Sequence, residues 1–374
     1  MKKILFKNCT LLENDLFSKA DLYVTNGIFT YAFGDPDEII DINGGMVLPG
    51  LIDIHTHGAV GIDFNRIKAG EFGKITQFYL SQGVTSFLPT ILSDSQETTL
   101  RQAALISAQK SDYPQIKGIH LEGPYLSHTY KGAMPEKFLK APDYDEIAKV
   151  QEAANGNIRL MTIAPEFPEA ASFIKKMIGL GITVSLGHSN ATYAETMIAI
   201  EAGARGATHT FNAMRLFHQH EPAIMGAVLM SDKVFCEAIC DYRHLVKDSF
   251  NFLFNVKGIE KVILVTDSIM AAGLGNGDYW LGVNEVTVAN GDALIKGTNV
   301  RAGSVLTGIQ AVKNAADCTH CSILKAGRMM TENPSGYLAM GHIGNFNIGS
   351  DADFLILDKD IIKAVYFGGE IARD

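Results

Sequence analysis

The most constraining feature of this sequence is a recurrence of short apolar runs, each ending in polar or small residues. These runs cover residues 46–57, 84–90, 118–122, 160–166, 182–188, 206–212, 234–241 and 262–267. Segments with helical periodicity lie between most of them, at residues 71–82, 96–110, 143–154, 169–179 and 191–202. Apolar strands that alternate with amphipathic helices are typical of a parallel sheet. Eight such units in about 220 residues favour an α/β fold of the (β/α)8 or TIM-type barrel class over an open sheet.

The two chain ends follow a different pattern. Residues 1–48 and 345–374 contain short strand-like runs, and turn signals such as TNG at 25–27 and NGG at 43–45 break the first of these segments. Neither end has enough strands to form a stable unit alone. We therefore expect both ends to pair into one small β domain beside a barrel that spans residues 49–344. A doubly wound α/β fold is the alternative, although no Gly-x-Gly-x-x-Gly motif follows an early strand.

Composition narrows the class of protein. The chain has 374 residues and a net charge of −9, from 32 basic and 41 acidic side chains, so it offers no basic footprint for nucleic acid. Its five cysteines form no regular framework, which favours a reducing compartment. No apolar stretch approaches the roughly 18 residues of a membrane span, and the first residues lack a signal-peptide core. We expect a soluble cytoplasmic enzyme without nucleic-acid or membrane partners.

In such a barrel, residues at the carboxyl ends of the strands line the active site. Four imidazoles and two carboxylates fall at these positions: His55, His57, Glu122, His188, His209 and Asp267. A lone His on an apolar strand is more often a core residue, but six such groups at five strand ends indicate a site. His55 and His57 are two residues apart, so both side chains point to the same side of a strand. Paired imidazoles suit a divalent metal such as Zn²⁺ or Fe²⁺.

Asp267 ends the last apolar run, in the segment VTDS at 265–268. A carboxylate beside a metal site is suited to take a proton from an attacking water and to return it to a leaving amine. The alternative role of Asp267 is that of a helix N-cap, and one residue can serve both purposes.

Seven motifs carry a resemblance to a known family. They are PGLIDIHTHG at 49–58, LEGP at 121–124, GHS at 187–189, HTFNAM at 209–214, VTD at 265–267, RAGS at 301–304 and GSDADF at 349–354. With these motifs the sequence resembles the N-acetylglucosamine-6-phosphate deacetylases of the amidohydrolase superfamily, almost end to end. The resemblance implies a homodimeric hydrolase whose barrel is flanked by a β-sandwich domain built from both chain ends.

The resemblance also implies roles for the candidate residues. Glu122, His188 and His209 would hold the main metal, and Asp267 would be the general base and acid. The His55 and His57 pair matches members that bind a second metal, so one or two divalent ions per subunit are expected. Zinc is the favoured metal, with iron, cobalt or manganese as alternatives. Substrate contacts are implied at Ala133, Asn212, Ala213, His220, His244, Arg301, Ala302 and Gly303.

Two positions depart from the family's pattern. Met134 stands where the family often has a His that polarises the acetamide carbonyl, and a thioether cannot donate a hydrogen bond. Our hypothesis is that a second metal at the His-x-His pair replaces this donor. His220 stands where the family commonly has an Arg, and a neutral imidazole makes a weaker phosphate contact. Arg301, Arg215 or Arg243 are alternative sources of the missing charge; equally, the substrate carries no phosphate or is a different sugar.

Three functions remain open from the sequence. The leading one is metal-dependent hydrolysis of the N-acetyl group of an amino sugar, with N-acetylglucosamine 6-phosphate as the expected substrate. The second is deacylation of N-acetylgalactosamine 6-phosphate, an unphosphorylated N-acetyl sugar or another N-acyl compound. The third is a non-catalytic barrel, which the retention of all six candidate groups disfavours.

Overall fold

A closed parallel barrel forms the centre of the molecule. The computed structural model describes residues 2–13 and 15–373. Within them, barrel strands 1 to 8 are Leu51–Thr56, Val84–Leu92, Ile119–Glu122, Ile158–Ile163, Thr183–Leu186, Gly206–Ala207, Phe235–Ala238 and Val262–Leu264. Each strand pairs with the next in chain order, and a parallel bridge from Thr56 to Ser268 joins the last strand to the first. The predicted barrel is confirmed.

Helices surround this barrel. The α-helices among the described residues are Phe72–Ser81, Gln96–Gln109, Tyr144–Ala153, Ala170–Gly179, Tyr193–Glu201, Ala223–Met230, Lys247–Lys257, Gly308–Thr319, Ile323–Gly327 and Glu332–Tyr337. Several begin at side-chain caps: Ser95 accepts a hydrogen bond from the backbone N–H of Thr98, and Thr192 accepts one from that of Glu195. The five helices predicted from periodicity are confirmed, with ends that agree within two residues. No helix in the described part of the chain has the length and apolar content needed to cross a bilayer.

Strands from both chain ends join in one mixed sheet. Its strands are Lys3–Glu13, Leu16–Thr25, Ile28–Phe29, Glu38–Asp41, Met46–Pro49, Phe354–Asp358, Ile361–Phe367 and Glu370–Arg373. The two ends meet where Phe354–Asp358 pairs antiparallel with Met46–Pro49. This sheet has its own core, in which the rings of Phe6 and Phe354 pack edge to face at 4.9 Å. The expected pairing of the two chain ends is therefore confirmed.

A three-stranded antiparallel sheet follows barrel strand 8 and was not predicted. Its strands are Gly277–Leu281, Asn284–Ala289 and Asp292–Ile295. Its inward side chains, Leu281, Val286 and Val288 among them, form a separate core cluster with Leu92 and Leu126 at the ends of barrel strands 2 and 3. This insertion therefore lies over one side of the barrel's carboxyl edge, where it contributes to the cavity described below.

Candidate metal centre and cavity

The barrel opens at its carboxyl edge into a cavity that collects most of the predicted site residues. Among the predicted residues, those that line it are His57, Glu122, Ala133, His188, His209, Asn212, Ala213, His244, Asp267, Arg301 and Gly303. His55 is fully buried beneath this surface. Ala302 is also buried, and its backbone N–H donates to the carbonyl of Ala293. His220 lies on an exposed loop before the helix Ala223–Met230.

The first candidate metal group consists of Glu122, His188 and His209. The Nε2 atoms of His188 and His209 lie 3.1 and 3.0 Å from Oε1 of Glu122. The two Nε2 atoms lie 3.0 Å from each other. Behind the site, Nδ1 of His188 lies 3.1 Å from the carbonyl oxygen of Tyr130, and as its donor it leaves Nε2 free to bind a cation.

The second candidate group consists of His55, His57 and Asp267. The Nε2 atoms of His55 and His57 lie 3.6 and 3.3 Å from Oδ1 of Asp267. The same two nitrogens lie 3.5 and 3.1 Å from Oε2 of Glu122. Glu122 therefore stands between the two groups, with Oε1 facing the first and Oε2 facing the second.

Both donor sets fit a divalent cation. The ligand atoms in each group lie within 4.8 Å of one another, and all six residues are buried. Ligands at about 2.0–2.1 Å around a tetrahedral zinc ion are about 3.3 Å apart, close to the distances found in the first group. Nε2 of His55 has no hydrogen-bond partner among the described groups, although it is buried and faces two carboxylates. A cation satisfies such a lone pair.

Electrostatics keep the two carboxylates of the site ionised. Burial raises the pKa of Glu122, but the charge of His55 and the contact with His188 outweigh burial and hold this pKa well below its usual range. Burial also raises the pKa of Asp267, whereas the charges of His55 and His57 lower it, with a net lowering. The ionised form is the one that binds a cation and the one that accepts a proton.

Three of these residues have a strained backbone. His188, His209 and Asp267 adopt φ values of 46°, 31° and 47°, in the left-handed region that side chains rarely occupy. Each residue comes just after the last hydrogen-bonded residues of its barrel strand. The turn in the backbone at this point directs the side chain over the mouth of the barrel. Strain of this kind collects at functional sites, where the surrounding structure maintains it.

A polar layer in the barrel interior supports the site from below. His120 lies between Thr90 and Thr162, with ring nitrogens 3.2 and 2.8 Å from their hydroxyl oxygens. The ring of His120 also packs edge-on against His55, at a centroid distance of 4.6 Å. Burial lowers the pKa of His120 well below its usual range, so it is neutral at pH 7. His120 is therefore a support for His55.

Sequence reasoning missed Glu237, on barrel strand 7. Its carboxylate is 1% exposed, and its Oε2 lies 3.0 Å from Nδ1 of His55. The same oxygen accepts a hydrogen bond from the backbone N–H of His209. A signal was available, because Glu237 is a charged residue inside an apolar run, FCEAIC at 235–240, where a buried carboxylate requires a partner.

The predicted substrate contacts form the wall next to the first group. His244 is held by Asp241, which accepts hydrogen bonds from its backbone N–H and lies 2.8 Å from its Nδ1. This arrangement turns the other edge of the His244 ring toward the cavity. Asn212 donates from its side-chain amide to the carbonyl of His209, and Ala213 has φ 51°. Local hydrogen bonds therefore hold His244 and Asn212 in this wall.

The two departures from the family pattern lie in different places. Met134 is buried and lines the cavity, so it presents a thioether where a hydrogen-bond donor would act. Of the three arginines that offer a positive charge, Arg301 lines the cavity and pairs with Asp292 at 3.0 and 3.2 Å. The guanidinium of Arg243 instead donates to the carbonyl of Asn290.

Comparison with known proteins first gives the class of the protein. A sequence profile of the amidohydrolase family matches residues 46–372. This match covers most of the chain, including every barrel strand and all six candidate metal-binding residues. The protein is thus a hydrolase of the amidohydrolase class, which acts on amide C–N bonds.

Individual relatives narrow this class. An N-acetylglucosamine-6-phosphate deacetylase from Lysinibacillus sphaericus is 33% identical over 328 residues, which cover 86% of this chain and 83% of the relative. The Bos taurus protein of the same name is 33% identical over 393 residues and covers 98% and 95%. A mutant of the Mycobacterium smegmatis deacetylase, solved in complex with N-acetyl-D-glucosamine-6-phosphate, superposes with a TM-score of 0.92 at 29% identity, covering 100% and 99%. The chain belongs to the N-acetylglucosamine-6-phosphate deacetylase family of the amidohydrolases.

Proposed function

We propose that this protein hydrolyses the acetamide bond of N-acetylglucosamine 6-phosphate, releasing glucosamine 6-phosphate and acetate. The observation that carries the proposal is the convergence of two metal-type groups on Glu122, with Asp267 beside them at the cavity surface. Glu122, His188 and His209 would hold the main divalent metal. The similarity to the deacetylase relatives extends over most of the chain, which supports the substrate assignment.

A divalent cation bound at this site would supply Lewis-acid chemistry, polarising the amide carbonyl and lowering the pKa of water. Asp267 takes one proton from the attacking water while the new C–O bond forms at the amide carbon. The same carboxyl then gives that proton to the sugar nitrogen as the C–N bond breaks, so acetate and a free amine leave. The lowered pKa of Asp267 keeps its carboxylate ionised and so free to accept a proton, and its place at the cavity surface gives it access to the reacting groups.

The cavity wall supports recognition of an amino sugar. His244, with Nδ1 committed to Asp241, offers its other ring nitrogen to a sugar or phosphate oxygen. Arg301 is the cation that we assign to the phosphate, because it lines the cavity and retains donors beyond its pair with Asp292. Gly303 and the backbone around it form the opposing wall.

Further properties are part of the proposal. Zinc is favoured, because the donors are imidazole nitrogens and carboxylate oxygens. A homodimer is supported by Leu216 and Phe217, which are 71% and 58% exposed on the loop that carries His220. A cytoplasmic location is supported by cysteines that form no disulfide among the described residues.

The test is acetate release by metal-replete protein from four sugars: N-acetylglucosamine 6-phosphate, its galactosamine epimer and the two unphosphorylated forms. We expect the first to be preferred, activity to be lost with a chelator, and zinc to restore it. An Asp267→Asn preparation made in the same way reports any contaminating host deacetylase. Preference for another of the four sugars would identify that sugar as the substrate instead. Absence of turnover with all four would refute sugar deacetylation.

A further inference from the structure

Glu237 is a buried charge that the reaction described above does not use. It lies on barrel strand 7, Phe235–Ala238, and points into the barrel beneath the cavity. Its Oε2 faces two donors, Nδ1 of His55 at 3.0 Å and the backbone N–H of His209 at 3.3 Å. Its Oε1 has no partner among the described groups. Burying a carboxylate costs desolvation free energy, so a buried carboxylate is expected to have a compensating structural or functional role.

The contact with Glu237 determines which nitrogen of His55 is free. An ionised carboxylate only accepts, so the hydrogen bond places a proton on Nδ1 of His55. Nε2 is then the nitrogen left to bind a cation, and this atom faces Oε2 of Glu122 at 3.5 Å and Oδ1 of Asp267 at 3.6 Å. A divalent cation placed at this point would satisfy both the lone pair and the two carboxylate oxygens. The imidazole of His55 therefore connects the carboxylate of Glu237, at Nδ1, to the candidate cation site, at Nε2.

The other imidazoles of the site are held differently. His188 pairs behind the site with a neutral backbone carbonyl, that of Tyr130. The Nδ1 atoms of His57 and His209 have no hydrogen-bond partner within the described part of the protein. Of the four imidazoles at His55, His57, His188 and His209, that of His55 is thus the one whose Nδ1 contacts a carboxylate. A carboxylate in this place raises the basicity of the imidazole and fixes its ring.

We propose that Glu237 is a positioning residue, which commits His55 to bind a second divalent cation through Nε2 and thereby sets the occupancy of the His55–His57–Asp267 group. Glu237 does not line the cavity, and its side chain reaches the site through the imidazole of His55 and the backbone N–H of His209. The ring of His120 packs edge-on against the ring of His55 and restricts its rotation as well. The inference rests on the proposed function only in that it takes this group to be a metal site.

Two substitutions separate the charge of Glu237 from its hydrogen bond. In Glu237→Gln the amide oxygen accepts from the same two donors, so the ring stays in place but the charge is lost. Glu237→Leu removes the acceptor while keeping the volume apolar. Since partners of this kind change metal affinity by about 10- to 100-fold, we expect zinc affinity at the second position to fall about 10-fold for Gln and about 100-fold for Leu. In Glu237→Gln, which keeps the acceptor for the backbone N–H of His209, affinity at the Glu122–His188–His209 group should stay within a factor of about three.

The measurement is zinc bound per chain at buffered free zinc concentrations, by mass spectrometry, on the full-length protein. The matched control is Glu146→Gln, which neutralises a buried carboxylate that pairs with Lys140 outside the cluster. We expect this control to bind both ions as the wild type does. Circular dichroism and melting temperature report whether each variant folds. If Glu237→Leu does not fold, Glu237→Gln alone decides.

The possible outcomes test the positioning role separately from the reaction. Wild-type affinity for the second ion in Glu237→Gln, or in a folded Glu237→Leu, overturns the inference, as does a wild-type protein that binds a single ion. Either result leaves sugar deacetylation intact if the wild type releases acetate in the assay above. Conversely, a second ion whose affinity depends on Glu237, in a protein that hydrolyses none of the four sugars, supports the inference and refutes the proposed reaction.

Discussion

The replacement Asp353→Asn should stabilise the protein at high pH but not at low pH. Asp353 lies between the end sheet and the barrel, where its carbonyl accepts from the N–H of Gly50 and its Oδ1 accepts from the N–H of Gly368. Its Oδ2 is buried without a partner among the described groups. Burial raises the pKa of Asp353 from 3.8 to about 6, more than the Gly368 hydrogen bond lowers it.

The magnitude of this effect follows from proton linkage. Because the pKa of Asp353 is higher in the folded than in the unfolded chain, folding stability falls as pH rises from about 4 to about 6 and stays low above that range. A difference of about two between the pKa values corresponds to about 3 kcal/mol. Unfolding entropy for 374 residues is about 0.8 kcal/mol/K, so the expected gain in melting temperature is up to about 4 °C. Asparagine mimics the neutral acid and removes this cost.

The assay compares thermal melting of variant and wild type at pH 4.5 and pH 8. The gain for Asp353→Asn should approach about 4 °C at pH 8 and fall to about 1 °C at pH 4.5. Asp351→Asn is the matched control, since this neighbouring carboxylate is 35% exposed and lies 3.5 Å from Lys117. It should give no pH-dependent gain. An equal gain for Asp353→Asn at both pH values, or none at pH 8, would refute the linkage argument.

Three further predictions concern activity. Asp267→Asn should lower kcat about 10²- to 10⁴-fold while the protein still binds one zinc per chain by mass spectrometry; unchanged kcat would exclude Asp267 as the base. Arg301→Ala should raise KM about tenfold for the 6-phosphate and leave KM for the unphosphorylated sugar unaltered, and equal effects on both would remove its phosphate role. Gly303→Ala places a Cβ 2.7 Å from the Asp267 carbonyl oxygen and should cost about 100-fold in kcat/KM. Gly156→Ala, equally strained at φ 75° but in open space, should leave kcat/KM intact.

Apolar periodicity predicted the barrel because every one of its strands is buried. Barrel strand 2, Val84–Leu92, is buried at all nine positions, and strands buried on both faces lack the strict apolar–polar alternation of a half-exposed strand. The three-stranded insertion at 277–295 was missed although its last turn carries a signal. Asn290 and Gly291 adopt φ 53° and 79°, as the Asn-Gly turn of a hairpin requires. Its alternating strands are half exposed, and they break the strand–helix rhythm on which the barrel assignment depended.

Strand ends at the site were predicted too long for a related reason. The run 206–212 predicted a strand through His209, whereas the strand is Gly206–Ala207. Residues 206–210 are buried, so the pattern of burial continues past the strand, but at His209 the backbone turns left-handed to present its ring. The hydrophobic pattern of the sequence indicates which residues are buried, but it does not indicate where the backbone leaves the extended conformation. The side-chain grouping was nevertheless foreseeable, because parallel strands bring their carboxyl ends to one edge.

The departure from the family pattern at residue 134 can be explained by the groups around it. Met134 cannot donate a hydrogen bond to an amide carbonyl, and its thioether is buried in the cavity wall. The same site carries a second candidate metal group, in which Nδ1 of His55 contacts Glu237. Because Oε2 of Glu122 faces this group while Oε1 faces the first, charge placed in one group acts directly on the other. Loss of the donor at residue 134 should therefore be tolerated only while Glu237 keeps His55 in its metal-binding form.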